Sequence, residues 1–264
     1  MTYKITRYMQ QGAAGPGLET AQPFWKRKVD ILTMKKWMMV CAALMLALLC
    51  AGALAEETAA AGIAANVGDI VTFGHYEQDN DESNGKEPIE WIVLDVQDGK
   101  ALLLTRYAID AHNYHSGQRE TSFPTWEKSE IRAWLNSEFL AAAFDDEEAA
   151  SIATVTLSNP SYKKYNWGGP DTEDRVFLLS RDEVEQYFPT YESRMVIPTA
   201  YAHARGAWES STYDIDGVKT TWWWLRTPGY YRSCAASVRT RGTITSNRVY
   251  DESGALRPAI WLTL

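Results

Sequence analysis

The sequence is poor in cysteine, with three in 264 residues, and Cys41 and Cys50 both fall inside one apolar run. Beyond that run only Cys234 remains, so a disulfide framework is excluded and stability has to come from an ordinary core. No segment repeats at a fixed period, which excludes solenoids and propellers. No linker rich in Pro, Gly or Ser divides residues 67–264, and no complete catalytic constellation stands out. Acidic residues are absent from one stretch: Lys219 to Arg248 holds six basic side chains and no acidic one, in a chain with 34 Asp/Glu against 26 Lys/Arg.

The apolar run is the first thing present. Met34-Lys35-Lys36, the stretch Trp37 to Cys50, and Ala53-Leu54-Ala55 before Glu56-Glu57 have the order of a basic n-region, an apolar h-region and a small-residue cleavage site. Residues 34–55 therefore read as a signal peptide cleaved after Ala55, which places the chain outside the cell or in the cell envelope. Left uncleaved, Trp37 to Ala55 approaches the roughly 20 residues that span a bilayer, and this is the one expected route to a membrane. A lipoprotein signal fits less well, because Leu49 rather than a small residue precedes Cys50. Residues 1–33 form an upstream extension without such a pattern, read as untranslated, with synthesis starting at Met34, or as unfolded. Residues 56–66 are alanine-rich and read as a tether.

Residues 1–55 take seven Lys/Arg and two Asp/Glu with them, which leaves 19 basic against 32 acidic side chains and a net charge of −13. Such a surface repels nucleic acid and anionic lipid, so neither is expected as a partner.

Residues 67–264 read as one α+β domain with antiparallel sheets and several short helices. Val67 to Gly74 and Ile89 to Val96 have strand character, the second apolar enough for a strand covered on both faces. Asp98-Gly99 is a hairpin signal leading into Ala101 to Leu104, so the domain opens as a meander. After Pro124-Thr125, the positions Ile131, Trp134, Leu135 and Phe139 recur at helical spacing, with Glu127 and Glu130 near the start. A shorter helix follows Asp145-Asp146 with Ala149 and Ile152 inward. Arg175 to Leu179 reads as a strand, and Ser180 with Glu183 as a capping box for a helix through Val184, Tyr187 and Phe188. Thr199 caps one more helix, ending at Gly206.

The last forty-odd residues carry the most information. Trp222 to Arg226 and Leu256 to Leu262 are apolar anchors around a Tyr/Arg/Ser/Thr-rich segment, Tyr230 to Tyr250. Cys234, Ala236 and Val238 alternate with Ser233, Ala235, Ser237 and Arg239, which predicts a strand with a small apolar face and a polar one. Arg241-Gly242 and Asp251 to Gly254 read as turns, giving a three-stranded meander that closes with Leu256 to Leu262. Pro258 has no N–H for a ladder and predicts a bulge or an open edge there. Trp222, Trp223 and Trp224 read as packing.

Tyr, Arg, Ser and Asn supply broad contact area and adaptable hydrogen bonds at modest entropic cost, as in antibody paratopes. A sugar ring stacks on Tyr, and a carboxylate or sulfate pairs with a guanidinium fork. The same arginines also suit a plain solvated sheet edge. For metal, Asp79, Asp81, Ser83 and Glu90 have the first, third, fifth and twelfth positions of a calcium loop, but the glycine falls one place late and no helices flank it. A solvated turn accounts for the same residues. Asp110, His112 and His115 offer zinc donors without a fourth ligand. Cys234, alternating with Ala and Val, reads as core rather than nucleophile. No cofactor is expected, calcium being the one candidate.

Several separated motifs stand in one order: Val67-Gly68-Asp69, Phe73-Gly74-x-Tyr76-x-Gln78, Ile89-Glu90-Trp91, Arg132-x-Trp134-Leu135-Asn136, Phe177-Leu178-Leu179-Ser180, Trp223-Trp224-Leu225-Arg226-x-Pro228-Gly229 and Arg257-Pro258-Ala259. Together they resemble a family of secreted or surface bacterial domains of unknown function, from Val67 to the end. The closing pattern, Trp-Leu-Arg, a variable polar stretch, then Arg-Pro-Ala, also resembles the C-type-lectin-like fold of formylglycine-generating enzymes and hypervariable bacterial binding proteins. In those binders the variable stretch displays the ligand contacts, and the resemblance implies Tyr230, Tyr231, Arg232, Arg239, Arg241, Asn247, Arg248 and Tyr250 as contacts here. Formylglycine-generating enzymes use a pair of active-site cysteines, which this chain lacks. The Glu-Pro-Asn and Gln-Pro-Asp signatures of calcium-dependent lectins are also missing; Glu87-Pro88-Ile89 is not one of them.

The expectation is thus an exported, non-enzymatic binding domain that recognises a glycan or protein at the cell surface. The alternatives are an extracellular hydrolase with a carboxylate or histidine site, using Asp110 or Glu90, and a structural cell-envelope protein.

Overall fold

The computed structural model describes residues 65–117, 124–162 and 167–264. The expected extension 1–33, the signal segment 34–55 and the tether up to residue 64 lie outside the described residues, which all belong to the compact unit Gly62–Leu264. No helix among the described residues is long and apolar enough to cross a membrane.

Strands β1 (Ile70–Tyr76), β2 (Glu87–Gln97) and β3 (Lys100–Thr105) form the opening meander. Asp98 and Gly99 make the turn with φ of 51° and 70°, left-handed backbone that an Asp-Gly pair accepts. β2 is not covered on both faces: Ile89, Trp91 and Val93 are buried, whereas Glu90 and Ile92 between them keep partial exposure. The doubly covered strand is β3, buried from Ala101 to Thr105, because it is the central strand of the sheet β1-β2-β3-β14-β7.

The helices follow local signals. Trp126–Lys128 is a 3-10 turn, and the α-helix Glu130–Trp134 starts behind Ser129, whose hydroxyl accepts from the Arg132 N–H. The chain continues as a π-helical turn, Leu135–Phe139, and then as Leu140–Ala143, with Ile131, Leu135 and Phe139 all in the core. Capping boxes Asp145/Glu148 and Ser180/Glu183 start the helices Asp146–Ser151 and Arg181–Tyr187. Thr199 caps Ala200–Ala204, and Thr190 caps Tyr191–Arg194, a helix that the sequence pattern did not reveal.

Between them come β4 (Asp110–Ala111), the pair β5 (Val155–Leu157) and β6 (Thr172–Asp174), and β7 (Val176–Phe177), which is shorter than the strand expected over 175–179. Arg132 Nε donates to the buried Asp174 carboxylate at 2.6 Å, and Asn136 accepts from the N–H groups of Arg175 and Val176. Two positions of one helical motif thus pin β6 and β7. The pair β8 (Glu209–Ile215) and β9 (Val218–Thr221) leads into β10 (Trp223–Pro228).

The C-terminal meander is corrected by the topology. β11 (Cys234–Val238) and β12 (Ile244–Arg248) form the expected hairpin, closed by a turn in which the Gly242 N–H donates to the Arg239 carbonyl at 2.7 Å. The next strand does not extend it. β13 (Ala255–Leu256) instead lies on the far side of β10, parallel to it, and pairs with β4, which gives a second sheet of order β12-β11-β10-β13-β4. The chain then leaves this sheet at Arg257-Pro258, and β14 (Ala259–Thr263) enters the first sheet between β3 and β7. Pro258 marks the crossing, because a residue without an N–H suits the point where the chain leaves one ladder for another. The polar face expected of β11 is also covered: Ala235 and Ser237 are as buried as Ala236 and Val238.

The fold is α+β, mostly antiparallel, with short helices. Trp91, Trp126, Trp223 and Trp224 are among its largest fully buried side chains, which suits a fold whose described residues hold a single cysteine, Cys234, and so no disulfide among themselves. Gly74 carries the bulge of β1 with φ of 69°, and a Cβ there would come within 2.5 Å of the Phe144 ring. Gly74→Ala is expected to cost about 1–3 kcal/mol through backbone strain and overpacking. That lowers the thermal midpoint by several degrees in a melting experiment; an unchanged midpoint would contradict the packing described.

Candidate ligand-binding site

The site is built by two connections at one end of the second sheet. The first, between β10 and β11, folds tightly on itself: the Gly229 N–H donates to the Cys234 carbonyl at 2.8 Å and the Cys234 N–H to the Tyr231 carbonyl at 3.0 Å. A Cβ on Gly229 would lie 2.7 Å from Cys234, so the close approach requires glycine. Outside this loop, Trp167 Nε1 donates to the Gly229 carbonyl, Arg181 donates to the Tyr230 hydroxyl, and the Arg181 guanidinium sits 4.4 Å over the Tyr162 ring. Arg232 lies over the Trp167 ring at 5.3 Å. Tyr231, at the tip, is 71% exposed.

The second connection runs from β12 to β13. Its Val249 and Gly254 carbonyls accept from the N–H groups of His115 and His112, and Ser253 folds back on the Asp251 carboxylate. Gly254 is fixed by the indoles: a Cβ there would meet Trp224 Nε1 at 2.0 Å.

Between these connections lies an open depression of about 1170 Å³. Of the side chains that the sequence singles out, Tyr230, Tyr231, Arg232, Asn247, Arg248 and Tyr250 line it. Arg239 and Arg241 do not. They belong to the β11–β12 turn, where Arg241 Nε donates to the Thr243 hydroxyl, and an antiparallel hairpin puts its turn at the end opposite its open mouth.

Three further features were not read from the sequence. Asp251 and Glu252 line the depression, so its two arginines are balanced by two carboxylates and the expected purely cationic surface is corrected. The turn Asp251 to Gly254 was legible as a turn, but not as a wall. Cys234 also lines the depression rather than filling the core, because it pairs with Arg248 at the mouth of the hairpin, where the sheet leaves the interior. Ser233, Thr245 and Ser246 add hydroxyls to the floor.

The calcium set does not assemble. Glu90 is held on β2 by Arg106 at 2.7 Å, while Asp81 and Ser83 bond to each other in a turn. Among the described residues, the group of three carboxylates that does come within 4.8 Å of one another is Glu77, Asp79 and Glu87. They already accept from backbone: Asp79 from the Asp81 N–H and Glu87 from the Gln78 N–H. Loss of solvation raises the Glu77 pKa, and the Asn84 amide lowers that of Asp79. Asp110, His112 and His115 do not converge on a zinc position either. Asp110 is buried and accepts from the Tyr76 hydroxyl at 2.6 Å, the His112 ring packs on Trp134, and His115 faces Glu130 at 3.5 Å.

Burial raises the Cys234 pKa, with Ser233 and Arg248 pulling weakly the other way. The thiol is therefore held protonated at neutral pH, the opposite of an activated nucleophile. Alkylation by iodoacetamide, followed on the Cys234 peptide by mass spectrometry, is expected to run slower than on a free thiol at pH 7.5. Its pH profile is expected to be displaced upward, because the thiolate forms only as pH rises through the raised pKa, and Arg248→Gln displaces it further. A midpoint below the ordinary thiol value of about 8.5 would overturn this.

Residues 98–264 match the family model described as Domain of unknown function (DUF6273). Comparison with curated proteins and with solved structures finds no match. The family match takes in both connections of the depression, the crossing at Arg257-Pro258 and all but the first two strands of the fold, and the chain belongs to the DUF6273 family.

Proposed function

We propose that this chain is an exported, non-enzymatic binding domain of C-type-lectin-like architecture that takes a glycan or protein segment in the depression between the two connections. The observation that carries this reading is the convergence there of Tyr230, Tyr231, Arg232, Asn247, Arg248 and Tyr250 around one open volume of about 1170 Å³. Such a wall offers aromatic faces for stacking and guanidinium and amide groups for hydrogen bonds. The backbone beneath it is held by indoles and capped turns, so little order has to be gained on binding.

The hydrolase alternative has less to support it. Asp110 spends its oxygens on Tyr76, Arg205 and its neighbour's N–H, and Glu90 is paired with Arg106. Neither carboxylate lines the depression. The reading uses no cofactor, and the acidic surface beyond residue 55 disfavours nucleic acid.

Glycan arrays and pull-downs from envelope fractions test it. The double variant Tyr231→Ala with Arg248→Ala is expected to weaken binding about tenfold or more, the size of a lost anchor residue. Arg239→Ala, at the far turn, is expected to leave binding unchanged and serves as the control. Equal binding by wild type and the double variant removes the depression as the site. Amino-terminal sequencing of the exported protein is expected to begin at Glu56; a chain that retains residues 34–55 would make the segment an anchor instead.

A further inference from the structure

The two five-stranded sheets have four outer edges, and three of them are blunted. β1 is broken by a register shift between Thr72 and His75, and β4 and β7 are two residues long. Short or bulged edges are the usual means of keeping a sheet from pairing with another chain. β12 has neither device. Its five residues, Ile-Thr-Ser-Asn-Arg, include no proline and pair with β11 without a register shift.

The phase of that ladder is fixed at both ends. The Arg239 N–H donates to the Thr243 carbonyl at 2.8 Å and the Val249 N–H to the Ser233 carbonyl at 3.0 Å. Bonded pairs alternate along an antiparallel ladder, so Thr245 and Asn247 face β11, and Ile244, Ser246 and Arg248 turn their N–H and C=O groups outward. Of these, the Arg248 carbonyl accepts from the Asp251 N–H; the others meet no backbone partner among the described residues. The outward groups span about 13 Å at ~3.3 Å per residue.

This edge opens on the depression. The successive residues Thr245, Ser246, Asn247 and Arg248 all line it, and successive side chains of a strand point to opposite faces, so the depression follows the edge rather than one face. We propose that β12 takes an extended peptide of a partner protein as an added strand, which deepens and rests on the binding role proposed for the depression. A peptide backbone repeats donor and acceptor at the same two-residue interval as Ile244, Ser246 and Arg248, whereas a sugar ring does not. The Tyr230–Arg232 loop and the Tyr250–Ser253 turn wall the edge, which admits a bare strand more readily than the edge of a second folded copy. An acidic side chain beside Arg248 and a basic one beside Glu252 complete the match of charge.

The probe is an immobilised array of random hexapeptides, with the binders remade for solution titration. Strand addition predicts that backbone N-methylation at every second residue of a binding peptide abolishes affinity, and that methylation at the residues between leaves it intact. On the protein, Ser246→Pro deletes one outward N–H and leaves the bonds to β11 in place. It is expected to weaken binding about tenfold or more, as one unmade buried peptide hydrogen bond would. Ser246→Ala keeps the N–H but, like the proline variant, loses the hydroxyl that accepts from the Tyr230 N–H at 3.3 Å, and is expected to weaken binding less than Ser246→Pro; equal losses in the two variants would overturn the role of the N–H. If Ser246→Pro does not fold, the N-methyl series on the wild-type protein decides alone. Peptides indifferent to methylation register overturn the proposal, and so does self-association abolished by Ser246→Pro. Glycan binding lost in Tyr231→Ala with Arg248→Ala, without any peptide binding, overturns strand addition but keeps the depression as a site. No binding of either probe class removes both.

Discussion

The architecture depends on one crossing, the passage of the chain from the second sheet to the first at Arg257-Pro258. β13 separates β10 from β4, and β14 separates β3 from β7, so neither sheet is continuous without the last ten residues. Arg257 is 2% exposed at that point. Its Nε donates to the Thr105 carbonyl at 2.8 Å, and its guanidinium lies 5.2 Å from the Trp223 ring and 5.3 Å from that of Phe188. Burial pulls its pKa down to about 9, which leaves it a cation at neutral pH. Taking such a charge out of water costs several kcal/mol, on the order that a charge-assisted hydrogen bond and desolvated cation–π contacts can offset. The Thr105 N–H donates to the Pro258 carbonyl at 3.0 Å, so the end of β3 and the crossing hold each other.

From the crossing the constraint passes to the site. β13 is parallel to β10 with Ala255 opposite Trp223, and the preceding Gly254 lies against the Trp224 indole, whose Nε1 donates to the His112 carbonyl. The acidic turn before Gly254 is therefore fixed from below. On the other side, Arg226 within β10 is buried and grips Glu183 with both terminal nitrogens, one of them at 2.8 Å and the other on the second carboxylate oxygen. Glu183 is also the residue that caps Ser180, and Arg181, next in the chain, reaches the Tyr230 hydroxyl. A change in the helix start thus propagates to the tyrosine wall through an ion pair and one hydrogen bond. The depression has stiff sides, because both connections end on buried charge or buried indole.

What the sequence revealed follows the range of the interactions concerned. Asp98-Gly99, the Ser180/Glu183 box and the spacing of Ile131, Leu135 and Phe139 are legible because each is set by neighbours within a turn or two. The pairing of β13 is not, since two residues between a turn and a proline carry no mark of which strand they join. The same blindness to partners made Cys234 look like core: its alternation with Ala236 and Val238 is real, but only the register with Arg248 shows that it lies at the mouth of the hairpin. Arg239 and Arg241 share composition with the other arginines, yet sit a hairpin's length away. Asp251 and Glu252 were visible as a turn, and it took the β12–β13 connection to turn them toward the same space.

The motif residues and the lining residues answer to different demands. Gly74, Trp91, Arg132, Asn136, Trp224, Arg226 and Arg257 each have a clash, a buried hydrogen bond or an ion pair to lose, and replacing any of them costs folding energy through a named mechanism. Tyr231, Arg232, Arg248 and Glu252 are exposed, and side chains at such positions change with little effect on stability. The first of these two groups of residues therefore specifies the frame and places few limits on what lines the depression. Along β12 itself the balance differs, because the outward N–H and C=O groups are there whatever side chains are attached. A ligand that pairs with the backbone edge would depend on the frame alone, and side-chain changes around it would tune which sequence is preferred.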